Sequence, residues 1–176
     1  MATPALLTLP NLVSAARVPL ALAFLAFDQR ALRLALIGAA GVTDFVDGWL
    51  ARRGRGTRMG AVLDPITDKM FLVTALISLA VNGPLSLAEL LILLARDLAV
   101  AVGFAIVVLR RAPMRLSARM PGKVVTVLQL AALVALVLLP EQKLPVIAVV
   151  GAASAVAILD YGRLAILALR PPRAAH

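Results

Sequence analysis

Four carboxylates stand out by their spacing. Asp44 and Asp47 are three residues apart, and Asp64 and Asp68 are four apart. Separations of three and four place side chains on one face of a helix, so each pair reads as two acids sharing a helical face. They are four of only nine acidic residues in the chain. Brought together, four carboxylates repel one another, and a divalent cation that prefers hard oxygen ligands, Mg²⁺ or Mn²⁺, removes that repulsion. The residues between and beside them have a pattern of their own. Gly48 follows Asp47 and leaves the backbone open to a ligand. Ala51 keeps the next turn small, and Arg52 offers a planar fork to phosphate. Gly60 lies one turn ahead of Asp64. Metals beside small residues and an arginine describe a diphosphate site. The competing reading pairs the acids with Arg52, Arg53, Arg55 and Arg58 as ordinary ion pairs. It gives no reason for Gly48 or Gly60.

The elements that must position these acids are set by composition. Of 176 residues, 62% are hydrophobic and 15% are charged, and the mean hydropathy is +0.98. An ordinary soluble domain carries about 25% charged residues, so this chain reads as an all-α membrane protein, a single domain over 1–176. Disorder is excluded by the same numbers. There is no cysteine, which removes disulfides, thiolate metal sites and cysteine nucleophiles. The one histidine, His176, stands at the end of the sequence, so histidine catalysis is not expected.

A spanning helix needs about 20 mainly apolar residues, and six such stretches occur, near 11–28, 31–51, 60–82, 85–110, 121–139 and 144–169. Asp28-Gln29-Arg30, Asn82-Gly83-Pro84 and Pro140-Glu141-Gln142-Lys143 punctuate them. The net charge of +9 falls mainly in the loops after the second and fourth stretches. By the positive-inside rule those loops and both termini are cytoplasmic. The expected architecture is a six-transmembrane-helix bundle with its active site at the cytoplasmic end, in a bacterial inner (plasma) membrane. No basic region precedes the first apolar stretch, which therefore reads as a span and not as a signal peptide. The basic charge suits an anionic lipid surface rather than nucleic acid. Gly103, Gly122, Gly151 and Gly162 are expected to let helices approach closely.

Asp44-Phe-Val-Asp47-Gly48-Trp-Leu-Ala51-Arg52, followed by Gly60-Ala-Val-Leu-Asp64-Pro-Ile-Thr-Asp68, resembles the signature of the CDP-alcohol phosphatidyltransferases. All eight fixed residues of that signature are present, and the spacer between Arg52 and Gly60 is one residue shorter than in its commonest version. The resemblance implies transfer of a substituted phosphate from a CDP-linked donor to an alcohol, with release of CMP. It implies two divalent cations, Mg²⁺ or Mn²⁺, held by Asp44, Asp47, Asp64 and Asp68, with Asp68 also the general base. Gly48, Ala51, Arg52, Thr57 and Gly60 then belong to the CDP site. Asn11 and Ser14 lie where family members approach the cytidine, although capping of the first helix explains them equally well. Relatives resemble homodimers, and the third and fourth stretches carry apolar faces that could serve.

The acceptor pocket is read from the remaining cations. Lys123, followed by Thr126 and Gln129, resembles the phosphatidylglycerophosphate synthase and cardiolipin synthase branches, as does Arg96-Asp97. Arg96 is expected to line the cavity, and Asp97 to pair with a basic residue of an adjacent helix. Arg119 and Arg163 complete the candidate phosphate site, against simpler readings as topology charge and a snorkelling side chain. The partners implied are CDP-diacylglycerol, an alcohol acceptor and the bilayer. Glycerol 3-phosphate is the preferred acceptor and phosphatidylglycerol the alternative, which would make the protein a cardiolipin synthase. A cation-binding membrane transporter is the competitor from another class. It predicts acids spread through the membrane depth, whereas four here crowd one end.

Overall fold

The structure is a computed structural model and describes residues 15–50, 60–109 and 120–168. Among the described residues all regular structure is helical. The helices are α1 (Arg17–Ala26), α2 (Arg30–Leu50), α3 (Gly60–Val81), α4 (Leu87–Leu109), α5 (Met120–Leu138) and α6 (Lys143–Ala168), with a 3₁₀ turn at Pro140–Gln142 before the last. Helices of 19 to 26 residues for α2 to α6 extend about 30–40 Å at 1.5 Å per residue, about the thickness of a bilayer core.

The turns follow from the residues that punctuate them. A Cβ on Gly83 would lie 2.7 Å from the Leu79 carbonyl oxygen, so the residue after Asn82 must be glycine. The turn is closed by the Leu85 N–H donating to that same carbonyl at 3.1 Å. Pro140 cannot continue the ladder of α5 and instead opens the 3₁₀ turn.

One stretch among the described residues, Pro140–Arg163, is long and apolar enough to cross a membrane, with a hydropathy of 1.9; Arg17–Ala26, Lys69–Val81 and Gly122–Leu138 are shorter apolar helices. The six helices agree in number with the six apolar stretches expected from the sequence. Charge is present within them: α2 carries Arg30, Arg33, Asp44 and Asp47, and α4 carries Glu89, Arg96 and Asp97. Large apolar side chains are nonetheless turned outward along the helices, among them Leu22, Phe45, Val102, Val127, Val156 and Leu159. Exposed apolar surface on that scale belongs against lipid or a partner.

The chain forms two compact units. The first takes in residues up to Ser86 together with Leu133–Lys143; the second is Leu87–Ala132 with the residues from Leu144 onward. In the first unit α1 packs on both α2 and α3, and α2 packs on α3. Phe24 is fully buried and meets Phe71 edge to face, 6.1 Å between centroids. Arg33 is built into this core: its guanidinium lies over the Phe24 ring and donates to the Phe27 carbonyl at 3.0 Å, to Asp28 at 2.6 Å and to Ser78 at 3.1 Å. Lys143 closes the same end by donating to the Pro84 carbonyl at 2.8 Å.

Candidate active site

The cross-helix contacts of the first unit fix the direction of its helices. The start of α1 touches the end of α2 through Arg17, Thr43 and Asp44. The start of α2 touches the end of α3 through Arg33 and Ser78, and the end of α1 touches the end of α3 through Ser78 and the Phe24 carbonyl. So α2 runs antiparallel to α1 and to α3. The C-terminal turns of α2, carrying Asp44 and Asp47, therefore share one end of the unit with the N-terminal turns of α3, carrying Asp64 and Asp68. This is the juxtaposition that the spacing of the acids calls for. A cavity of about 150 Å³ lined by Asp28, Arg30, Arg33 and Pro140 lies at the opposite end and is not this site.

Asp44 is the acid whose side chain is described in full. It is 64% exposed, and its Oδ1 accepts from Arg17 Nη2 at 3.2 Å. Arg17 is fully buried. Among the described residues the arginine partner of Asp44 is Arg17 of α1; Arg52, Arg53, Arg55 and Arg58 lie outside them. A carboxylate has about four lone-pair positions, so one bond from Arg17 leaves Asp44 able to ligate a cation. The donor set fits hard divalent cations: four carboxylates, with no sulfur or imidazole among the nominated ligands. Asp47, Gly48, Gly60, Asp64 and Asp68 have helical backbone positions, and their side chains lie outside the described residues. So do Ala51, Arg52, Thr57, Asn11, Ser14 and Arg119 altogether. Among the described residues no group of three metal-ligating side chains occurs.

The nominated acceptor residues Arg96, Lys123 and Arg163 belong to the second unit. Lys123 and Arg163 are exposed. Arg96 is committed to its neighbours: Nη1 pairs with Asp97 Oδ1 at 2.9 Å, Nη2 donates to the Tyr161 hydroxyl at 3.3 Å, and the guanidinium lies 5.8 Å from the Tyr161 ring centroid. Asp97 pairs with its own chain neighbour Arg96, because the long arginine side chain folds back across the roughly 100° between adjacent helical positions. Its other oxygen accepts from Gln129 of α5 at 2.7 Å. Gln129 is fully buried and also donates to the Leu93 carbonyl at 2.7 Å.

Two of the four glycines singled out for close packing serve it. A Cβ on Gly122 would collide with Arg96 Nη2 and the Tyr161 hydroxyl, and one on Gly151 would meet Ile92. Among the described residues nothing lies within 4 Å of a Cβ placed on Gly103 or Gly162. The network of Arg96, Asp97, Gln129 and Tyr161 therefore presses against α5 at Gly122, the residue before Lys123.

These features define an all-helical protein, among the described residues, with an acid-rich end. The model of the CDP-alcohol phosphatidyltransferase family matches residues 1–159, and the chain belongs to that family. Its members are membrane-bound, metal-dependent transferases of phospholipid synthesis. The chain is 35% identical over 103 residues to the CDP-diacylglycerol–glycerol-3-phosphate 3-phosphatidyltransferase of Aquifex aeolicus, covering 55% of this chain and 58% of the relative. A Mycobacterium tuberculosis protein named "Probable phosphatidylglycerophosphate synthase" is 38% identical over 128 residues, covering 72% of this chain and 60% of the relative. A Schizosaccharomyces pombe fusion protein named as a CMP-forming cardiolipin synthase and mitochondrial hydrolase is 40% identical over 91 residues, 48% of this chain and 15% of the relative. The chain spans little more than half the length of the first two of these.

Proposed function

We propose that the chain transfers a phosphatidyl group from CDP-diacylglycerol to glycerol 3-phosphate and releases CMP. The observation that carries this reading is the placing of Asp44, Asp47, Asp64 and Asp68 at one end of an antiparallel helix pair, in a chain of this family. In this reading that end faces the cytoplasm, and the acyl chains of the donor stay in the bilayer.

Asp44, Asp47, Asp64 and Asp68 hold two divalent cations, Mg²⁺ or Mn²⁺. When bound, the pair offsets the charge of the diphosphate and favours CMP as leaving group. Gly48, Ala51 and Gly60 make room for the CDP moiety, and Arg52 and Thr57 contact it. Asp68 takes the proton of the acceptor hydroxyl as its oxygen bonds to the phosphorus distal to cytidine. The bond from that phosphorus to the CMP oxygen breaks, and CMP carries away the electron pair. General-base help of this kind is worth about 10²–10⁴-fold. Lys123, with Arg119 and Arg163, attracts the acceptor phosphate. Arg96 contributes through its hold on Gly122, next to Lys123.

Phosphatidylglycerol as acceptor is the second reading, favoured by the cardiolipin synthase name of one relative and by the Arg96-Asp97 pair. The deciding experiment supplies purified protein and CDP-diacylglycerol with glycerol 3-phosphate, phosphatidylglycerol, serine or inositol phosphate in parallel, and identifies the lipid products by thin-layer chromatography. Phosphatidylglycerophosphate is expected as the main product. Cardiolipin alone would transfer the assignment to the second reading.

A further inference from the structure

Arg17 is fully buried near the start of α1. Ala16 ahead of it supplies no side-chain cap. A guanidinium removed from water in this way needs partners that justify it, and two of them flank the acid-rich end. Nε donates to Thr43 Oγ1 at 3.2 Å, and Nη2 donates to Asp44 Oδ1 at 3.2 Å. The Thr43 hydroxyl is itself fixed, because it donates to the Ala40 carbonyl at 2.7 Å and so turns a lone pair toward Arg17. A rigid fork, held by a threonine, holds the first of the four aspartates.

We propose that Arg17 is a positioning residue that orients Asp44 for cation binding, with Thr43 holding Arg17 in register. The proposal rests on the reading of Asp44 as a ligand. Two opposing effects follow from a guanidinium beside a ligating carboxylate. Its charge disfavours a nearby cation, whereas its hydrogen bond removes the rotational freedom that the carboxylate would otherwise lose on binding. Asp44 is well exposed and would be mobile without that bond, and the guanidinium is buried on the far side of it from solvent, so orientation dominates. Loss of a group that orients a ligand typically costs about 10–100-fold in metal affinity.

The test is Mn²⁺ binding to the purified, substrate-free protein, read from the free-ion signal in electron paramagnetic resonance, with melting temperature measured on the same samples. Arg17→Lys keeps the charge and loses the fork, and is expected to weaken Mn²⁺ binding about 10-fold or more. Thr43→Val leaves every charge in place and carries the test by itself if the lysine variant does not fold. It is expected to weaken binding several-fold, with Thr43→Ser restoring it. A purely structural role would lower the melting temperature of Thr43→Val without changing the Mn²⁺ affinity of the folded protein, and that result overturns the proposal. Tighter binding in Arg17→Lys or Thr43→Val also overturns it, because it would make Arg17 a competitor of the cation. Absence of Mn²⁺ binding in the wild-type protein would overturn the metal reading itself, and the proposal with it.

Discussion

Gln129→Leu isolates the polar network of the second unit. The side chain is fully buried and spends both amide hydrogens, one on the Leu93 carbonyl and one on Asp97 Oδ2, each at 2.7 Å. Leucine is of similar size, so no large cavity is left and the change reads hydrogen bonding almost alone. A bond to a charged group is worth about 1.5–3 kcal/mol in water-soluble proteins, and interhelical bonds in membrane proteins average about 0.6 with a maximum near 1.7 kcal/mol. Asp97 keeps Arg96 as a partner at 2.9 Å, which limits the cost. A net loss of about 1–2 kcal/mol is expected, or roughly 2–8 °C in melting temperature for a chain of this size. Thermal unfolding in detergent, followed by helix circular dichroism, measures it. A leucine variant that melts at or above the wild-type temperature would refute the view that Gln129 ties α4 to α5.

Four further outcomes are expected. Glycine to alanine within a helix ordinarily gains up to about 1 kcal/mol, but Gly122→Ala should lower the melting temperature, because the new methyl takes the space of the Arg96 guanidinium and the Tyr161 hydroxyl. Arg33→Met should destabilise the protein by about 1–3 kcal/mol, since it forfeits three hydrogen bonds and leaves the buried Ser78 only its bond to the Phe24 carbonyl. Asp28→Asn, at a carboxylate that is 70% exposed, should change stability by less than about 1 kcal/mol in the same denaturation assay. Chelation of divalent cations should stop CMP release from CDP-diacylglycerol, and added Mg²⁺ or Mn²⁺ should restore it, as a titration of chelator against metal would record.

The helices and the acid-rich end are legible in the sequence because both are local. Apolar runs between Asp28, Asn82-Gly83-Pro84 and Pro140 mark the elements, and spacings of three and four put the acids on faces. The described first helix, Arg17–Ala26, lies within the stretch 11–28 that hydropathy marks. The buried basic residues escape a reading by composition altogether. Arg17 and Arg33 add to the net positive charge, yet each is buried in the first unit. Several of their partners, Thr43, Asp44 and Ser78, lie 26 to 45 residues away in sequence, and no local pattern announces such pairings. The pairing of Asp97 with Arg96 is hidden for another reason. Adjacent helix positions point apart, and only the length of the arginine side chain lets Arg96 reach back to it.

The central claim is that the aspartates at the shared end of α2 and α3 hold metal and run a phosphotransfer. CMP release by purified protein, with Mg²⁺ and CDP-diacylglycerol and with or without glycerol 3-phosphate, compared between wild type and Asp68→Asn, tests it most directly. The account predicts release only when the alcohol is present, and a loss of turnover of about 10²-fold or more in the variant with donor affinity largely kept. Turnover near the wild-type rate in Asp68→Asn, or release indifferent to the acceptor, would contradict it.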